Sequence, residues 1–527
     1  MDLFDELREK FPDLVSPSPG AVQSAHNQVC IALRRPDVRQ VAGYLISAYE
    51  SRLVAVFAED RVAAEGVFYN YYVFEQPGEP CYVILQAPIP ADEPRFPSLA
   101  AGLPAVNWQE REIQDWFGLE ATGHPNPRRV ALHDNWPDVH PLRKSFPLRQ
   151  VLPAFEGERH VYRPTLGEGV FQIPVGPVHA GIIEPGHFNF AVAGEPILYL
   201  QLRMFYTHKG TEKLFEDMPI HKCVFLAESI SGDSAFSHGT AFCQAIENAS
   251  DTEVPPRARV VRTILLELER VANHIGDIGA IATDVGFAVA NAHAGRLREL
   301  VVRLNEGLTG SRWLRGMVCV GGVRRLWSLA HRDLLRDTVI HVEREFDSLV
   351  ALVQSSDSTR DRLERTGILR PETAKVLGIV GVAGRASGVD LDVRRDHPYA
   401  AYERYPFRVP VYQAGDVLHR MLVRVDEVKQ SFAILRAAAD DLPEGPHCAV
   451  ARPVPPGRCA LSAVEGWRGE ILHWVRTAEG NRLERCKIKD PSVNNWAAIV
   501  EAVQGNIIAD FPVINKSFNL SYSGTDR

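Results

Sequence analysis

A chain of 527 residues is too long for one ordinary hydrophobic core and predicts roughly two to four domains. Its 45% hydrophobic and 24% charged residues describe an ordinary globular protein, and a formal net charge of −8 excludes a sequence-wide nucleic-acid-binding or polybasic membrane surface. No uninterrupted apolar run reaches the ~18 residues a membrane helix needs, since the best candidate, 376–382, is soon followed by Arg385.

The opening MDLFDELREKFPDL is acidic and helical in pattern, with neither the positive flank nor the apolar run of a signal peptide, so the chain is expected in the cytoplasm. Eight cysteines, at 30, 81, 223, 243, 319, 448, 459 and 486, show no close pair. That spacing argues against a disulfide framework and against a zinc or iron–sulfur knuckle, and each cysteine reads as a small buried hydrophobe. Apolar alternation over 44–57 and 66–73, then 81–86, reads as a helix followed by strands, and the prolines of 88–97 end that sheet. The inference is an α+β domain.

Next comes NWQEREIQDWFGLEATGHPNPRRVALHDNWPDVHPLRKSFPL. Glu110, Arg111, Glu112 and Asp115 have the spacing of a solvated helical face. The prolines and paired arginines from Gly123 to Lys144 predict an extended arm held by fixed turns. EREIQDWFGLEATGHPNPRR followed by PLRKSFP resembles the signature of the 30-kDa (C-type) family of respiratory complex I. That resemblance implies a domain over 1–150 that has no cofactor and serves assembly beside a 49-kDa (D-type) homologue.

Between Arg149 and Arg163 apolar periodicity is lost, which places a linker at 151–162. Three strands are predicted, over 170–175, 187–193 and 197–206. Pro177 and Pro185 force the intervening loop to project from the ladder. This loop, GPVHAGIIEPGH, carries His179, Glu184 and His187, a set able to handle protons or a quinone headgroup and equally able to be structural. Helical spacing continues over 259–287, with a polar face bearing Glu267, Arg270, Asn273, His274 and Asp277, and further helices are predicted over 295–309, 329–354 and 413–438. Arg385, Asp392, Arg394, Arg395 and Tyr399 sit in a glycine-rich turn that suits ion pairing.

GEGVFQIPVGPVHAGIIEPGHFNF, THKGTEKL, LERVANHIGDIGAIATDVGF, EGWRGEILHWV and RCKIKDPSVNNW together resemble the large-subunit family that unites the 49-kDa (D-type) protein of complex I with the group 4 membrane-bound nickel–iron hydrogenases. The form GPVHAGIIEPGHF is closer to the hydrogenase branch, which includes the large subunit of formate hydrogenlyase, itself fused behind a 30-kDa (C-type) domain. The resemblance covers nearly all of 163–527. It implies an α+β chain whose second domain has a β-rich beginning and a central helix bundle, like a hydrogenase large subunit. In that family an arginine matching Arg468 lies against the metal centre; here Arg468 is also free to pair with a carboxylate.

The hydrogenase branch holds nickel and iron with two Cys-x-x-Cys pairs. Alignment through Phe236 and His238 puts Ser231 and Ser234 at the first pair, and alignment through 525–527 puts Ser521 and Gly524 at the second. On its own, the turn 231–234 also reads as a helix cap by Ser231 or Ser234. Hydroxyls that stay protonated replace the soft thiolates that retain such metals, so no nickel–iron centre is expected. The 49-kDa (D-type) protein of complex I also lacks those cysteines and uses the cavity for quinone. Its quinone histidine corresponds to His179, with His187 second, while its quinone tyrosine falls near Gly232 and is missing.

The resemblance therefore implies a peripheral-arm subunit on the cytoplasmic face of a membrane-bound oxidoreductase complex. Glu184 and Arg468 would tune a proton or quinone site with His179 and His187. The implied partners are an iron–sulfur small subunit of the complex I B type, which holds a 4Fe–4S cluster, and membrane subunits of the H type and the antiporter-like type. Nucleic acid is not among them. The alternative is a non-catalytic docking and coupling scaffold. An active formate hydrogenlyase-type hydrogenase is what the branch name alone would give, and the missing thiolates oppose it.

Overall fold

The computed structural model describes every residue except 1–6, 8–9, 12–21, 26, 150, 154, 158–159, 166 and 182. Most of the predicted amino-terminal helix lies outside the described residues. The described residues of the predicted linker form neither helix nor strand.

The amino-terminal part is built on a five-stranded sheet of β1 (Val22–Ala25), β2 (Gln28–Ala32), β3 (Arg52–Arg61), β4 (Val67–Glu75) and β5 (Tyr82–Pro90), in the order β1-β2-β5-β4-β3. Only β2 and β5 run parallel. Helix α1 (Val38–Tyr49) ends where Glu50 turns left-handed at φ 53° and its N–H bonds Leu45 O, which hands the chain to β3. Helix α2 (Asn107–Phe117) follows, and short strands β6 (Arg95–Pro97) and β7 (Glu120–Thr122) pair across it.

The charged residues of α2 are not a solvated face. Glu110 and Glu112 are 0% and 2% exposed, and Arg111 and Asp115 are buried as well. Each buried charge has its partners, as burial requires. Asp115 accepts the N–H groups of Val130, Ala131 and Leu132 at 2.9, 2.7 and 3.1 Å, and Arg111 donates to the carbonyls of Arg128 and Arg129 at 2.6 and 2.9 Å. The arm predicted from its prolines is thus held by the helix that precedes it. Spacing alone could not show this, because the i,i+4 pattern is the same whether water or a distant backbone supplies the partner.

The second part begins with the antiparallel sheet β8 (Val170–Val175), β9 (His187–Ala193) and β10 (Ile197–Arg203), as the sequence predicted except that β10 stops at Arg203. Beyond it Phe205 adopts φ 68° and its N–H bonds Asp526, so the ladder cannot continue. Helices α3 (Thr211–Asp217), α4 (Ile220–Ala227), α5 (Ala235–Ser250), α6 (Pro256–Asp284) and α7 (Ala288–Thr309) follow. The hairpin β11 (Val318–Cys319) and β12 (Gly322–Val323) precedes α8 (Leu329–Gln354), and α9 (Val417–Asp440) starts after Asp416, whose side chain caps His419 N. The last elements are the antiparallel sheet β13 (Cys459–Gly466), β14 (Gly469–Ala478) and β15 (Arg482–Lys489), then α10 (Ser492–Ala502), α11 (Phe511–Phe518) and α12 (Tyr522–Asp526).

Helix α6 is the axis of the bundle, packed by α7 and α9. The polar face predicted for it, Glu267, Arg270, Asn273, His274 and Asp277, is buried rather than turned to water. Glu267 accepts Tyr402 Oη and Ser431 Oγ, both at 2.5 Å, and pairs with Arg394 at 3.1 Å. His274 Nε2 and Arg385 both reach Glu427, each at 2.8 Å. The ion pairing predicted for the glycine-rich turn is present, with Arg394 2.7 Å and Arg385 3.7 Å from Asp392. The two parts share one core: Trp474 of β14 packs on Phe57 and Tyr71 at 5.0 and 4.9 Å between ring centroids. Among the described residues no helix is long and apolar enough to cross a membrane.

Candidate functional site

The turn 229–234 leads into α5, as its sequence predicted. Ser234 occupies the cap position, but its side chain makes no capping hydrogen bond. The free N–H groups of the first turn go instead to Glu269 of α6, which accepts Phe236 N at 2.7 Å, Ser237 N at 3.1 Å and Ser237 Oγ. A carboxylate at a helix amino terminus also complements the helix dipole. Burial nevertheless raises the Glu269 carboxyl from 4.5 to about 7, against those bonds.

That shift gives stability a pH slope. Between about pH 4.5 and 7 the unfolded chain releases a proton that the folded chain still holds, so this contribution is fullest below pH 4.5 and is lost as pH rises to 7. At ~1.4 kcal/mol per pH unit the loss is about 3 kcal/mol. Glu269→Gln cannot ionise and is expected to lose less of its thermal midpoint than the parent between pH 5 and pH 7.5.

At the far end of the chain, Ser521 caps α12 by accepting Gly524 N at 2.8 Å. Its Oγ also lies 2.9 Å from Ser231 Oγ, joining positions 290 apart. Ser231, Ser234 and Ser521 are only 1%, 2% and 5% exposed. Ser231 donates to Asp233 Oδ1 at 2.9 Å, and Arg468 clamps both Asp233 oxygens at 2.6 Å each. The fixed fork of an arginine suits such a two-point contact. Arg468 also donates to Asn519 O, reaches Ser234 Oγ at 3.4 Å and stacks 3.8 Å over the Trp467 ring. Asp233 keeps one open edge, its side chain 36% exposed.

The position of Arg468 follows from the β13–β14 hairpin, whose turn is Trp467-Arg468 between the paired Gly466 and Gly469. Gly381, at φ +65°, lets this turn approach so closely that a Cβ there would fall 1.8 Å from Arg468 O. Asp490, just beyond β15, completes the floor. It accepts Ser492 N at 2.8 Å and meets His238 Nε2 at 3.1 Å, while His238 Nδ1 meets His473 Nε2 at 3.1 Å. Burial would raise Asp490, but the His238 bond and the charges of His238 and Arg468 bring it below its usual range; burial holds His473 well below its own. A Cβ at Gly524 would lie 2.5 Å from Asp490 Oδ2 and 3.0 Å from Ser521 Oγ. The space a side chain at 524 would need is already filled by a carboxylate.

The loop predicted to carry chemistry divides. Glu184 Oε2 accepts Ser523 N at 2.9 Å, which attaches the loop to α12. His179 Nε2 donates to Gly186 O at 2.7 Å, leaving Nδ1 as the acceptor of the neutral ring, and its ring is 5.7 Å from Phe188. Phe188 in turn packs against Tyr522, next to Ser521. His187 points elsewhere, meeting Tyr162 Oη at 3.0 Å. Glu184 and His179 thus flank the second serine half, and His187 does not. Lys209, in the THKGTEKL stretch that the sequence read only as a helix amino-terminal segment, staples both halves: its Nζ donates to Ser229 O, Ile230 O and Ser523 Oγ at 2.6, 3.0 and 2.6 Å. Asp490 and Glu269 were missed too, since each sits in a locally ordinary segment and acts only across the fold.

Residues 31–151 match the family of the respiratory-chain NADH dehydrogenase 30 Kd subunit, and residues 284–458 and 450–527 match the family of its 49 Kd subunit. Formate hydrogenlyase subunit 5 of Escherichia coli (strain K12) is 34% identical over 99% of this chain and 92% of that protein. The chain belongs to the fused complex I 30-kDa/49-kDa-type family. Within this family, hydrogenase-4 component G of Escherichia coli (strain K12) is likewise 34% identical, over 97% of this chain and 90% of its own length. The C/D subunit of NADH-quinone oxidoreductase from Proteus mirabilis (strain HI4320) is 26% identical over 99% of this chain and 96% of its own length. Each is a subunit or component of a larger assembly by its name.

Proposed function

We propose that this family member is the peripheral-arm subunit of a membrane-bound, complex I-like oxidoreductase, coupling electron transfer to ion translocation without a nickel–iron centre. One observation carries the reading: Ser231 and Ser521 meet at 2.9 Å, so the two halves of the site close on hydroxyls. These donors do not fit nickel and iron, which need deprotonated soft ligands. Gly524 supplies no donor atom, and Asp490 stands where a side chain there would go.

In this reading residues 1–150 dock the chain and 163–527 form the coupling domain, on the cytoplasmic face of the membrane. Electrons arrive from a 4Fe–4S cluster in a small subunit of the complex I B type, and the ion path lies in membrane subunits of the H type and the antiporter-like type. Elemental analysis of the purified complex is the test: nickel well below stoichiometric supports the proposal, and one nickel per chain overturns it in favour of a formate hydrogenlyase-type hydrogenase.

Quinone reduction at this site would fall to the two loop residues beside α12. His179, with Nε2 committed to Gly186 O, offers Nδ1 alone: the neutral ring accepts a proton from a hydroquinone hydroxyl, and the imidazolium donates one to a quinone carbonyl. Glu184 and Arg468 hold α12 and the turn 231–234 in place around it. Loss of a positioned proton-transfer group costs about 10²-fold or more. His179→Ala in the intact complex is therefore expected to lower quinone-dependent turnover by at least about that factor. Unchanged turnover would favour the second reading, a non-catalytic coupling scaffold, for which the observation is that Arg468 is already engaged by Asp233 and Asn519.

A further inference from the structure

The eight cysteines are scattered in sequence, yet the fold brings two of them into contact. Cys319 Sγ and Cys448 Sγ lie 3.7 Å apart across 129 positions. Their backbones are fixed relative to one another. Cys319 pairs with Gly322 in the β11–β12 hairpin, and Gly322 bridges to Cys448 on its other side. Ala449 N donates to Gly321 O at 2.9 Å and Val323 N to His447 O at 3.0 Å, so backbone bonds flank the pair on both sides. Gly322 places no side chain between the sulfurs; a Cβ there would lie 2.8 Å from Cys448 Cα. Both cysteines are partly exposed, whereas Cys223, Cys243 and Cys486 are buried.

We propose that Cys319 and Cys448 are an oxidisable pair that a hydroperoxide converts to a disulfide. The sulfurs must close from 3.7 Å to a bond of about 2.0 Å. With the backbones held by the flanking hydrogen bonds, rotation of the two cysteine side chains about their Cα–Cβ bonds supplies that movement. In the first step one thiol of the pair attacks the peroxide O–O bond, giving a sulfenic acid and releasing the alcohol or water. In the second, the other thiol's sulfur displaces that hydroxyl and water leaves, the two thiols having supplied the two electrons that reduce the peroxide.

The bond would tie the hairpin to the segment before β13. The hairpin is already held by α5 and α6, since Gly321 N donates to Glu247 Oε1 at 2.7 Å and Arg262 donates to Cys319 O at 2.8 Å. Oxidation would thus brace the far end of α5, the helix that follows Ser234. The test is peptide mapping of the purified complex after hydrogen peroxide, with remaining thiols alkylated under denaturing conditions before trypsin. Expected is a peptide 316–324 linked to 437–458 in more than half of the chains, released by dithiothreitol. Cys319→Ser is expected to leave Cys448 as a sulfenic acid trapped by dimedone. The proposal is overturned if both cysteines are recovered alkylated after peroxide, if Cys448 passes to the sulfonic acid with no link, or if either links to another cysteine.

Discussion

Glu112→Gln is expected to destabilise the protein by about 3–5 kcal/mol, the cost of breaking a buried ion pair from one side. Glu112 on α2 contacts the Arg527 guanidinium and lies 3.2 Å from Lys487 Nζ. Glu212 on α3 pairs with Arg485 at 2.6 Å and with Lys487 and Arg527 at 3.3 Å each. All five side chains are nearly inaccessible to solvent. The substitution keeps the shape and leaves Arg485, Lys487 and Arg527 with Glu212 as their shared carboxylate. Urea unfolding checks the magnitude; a change under about 1 kcal/mol would mean that the charges relax to water.

The same cluster sets an acid limit. Burial would raise Glu112, but the charges of Arg527 and Lys487 bring it below 4.5, and Glu212 is lowered by Lys487, Arg485 and Arg527 in the same way. Carboxyls lowered by folding contribute stability above the unfolded value of about 4.5 and lose it as pH falls through their folded values. In Glu112→Gln part of that acid sensitivity is expected to disappear. The link to the site is direct: Arg527 follows Gly524 by three positions, and Asp526 accepts the N–H groups of Phe205 and Thr207 at 2.9 Å each. An amino-terminal helix therefore anchors the carboxy-terminal half of the serine site.

Arg468→Ala is expected to cost about 2–3 kcal/mol, less than a fully buried pair because Asp233 retains an edge open to water. It removes both bonds to Asp233, the bond to Asn519 O and the stacking on Trp467. Arg468→Lys restores the charge without the fork and is expected to recover less than half of the loss. Thermal or urea midpoints of the two variants measure this directly, and equal midpoints for Arg468→Lys and the parent would show that charge alone matters.

Much of the architecture was legible because helix and strand periods are local. The three strands after 170 and the helices α6, α8 and α9 fell close to where apolar spacing put them. The polar stripes were legible as stripes but not as to what they face. Glu112 looked like a solvent residue because its partner Arg527 is 415 positions away. Glu267 and His274 had the spacing of one polar face, and their partners Arg394 and Glu427 come from other segments. Ser234 looked like a cap because it precedes a helix, while the actual cap comes from Glu269 on the next helix.

The sequence by itself determined the family, the order of its two parts and the identity of Ser231, Ser234, Ser521 and Gly524, since residue identity needs no coordinates. Only the tertiary structure decided what those positions do now. Ser231 touches Ser521, Asp233 is locked by Arg468, Asp490 fills the space beside Gly524, and Cys319 meets Cys448. The physical reason is common to all four. Contacts between residues far apart in sequence are set by how helices and sheets pack, and local spacing carries no record of that.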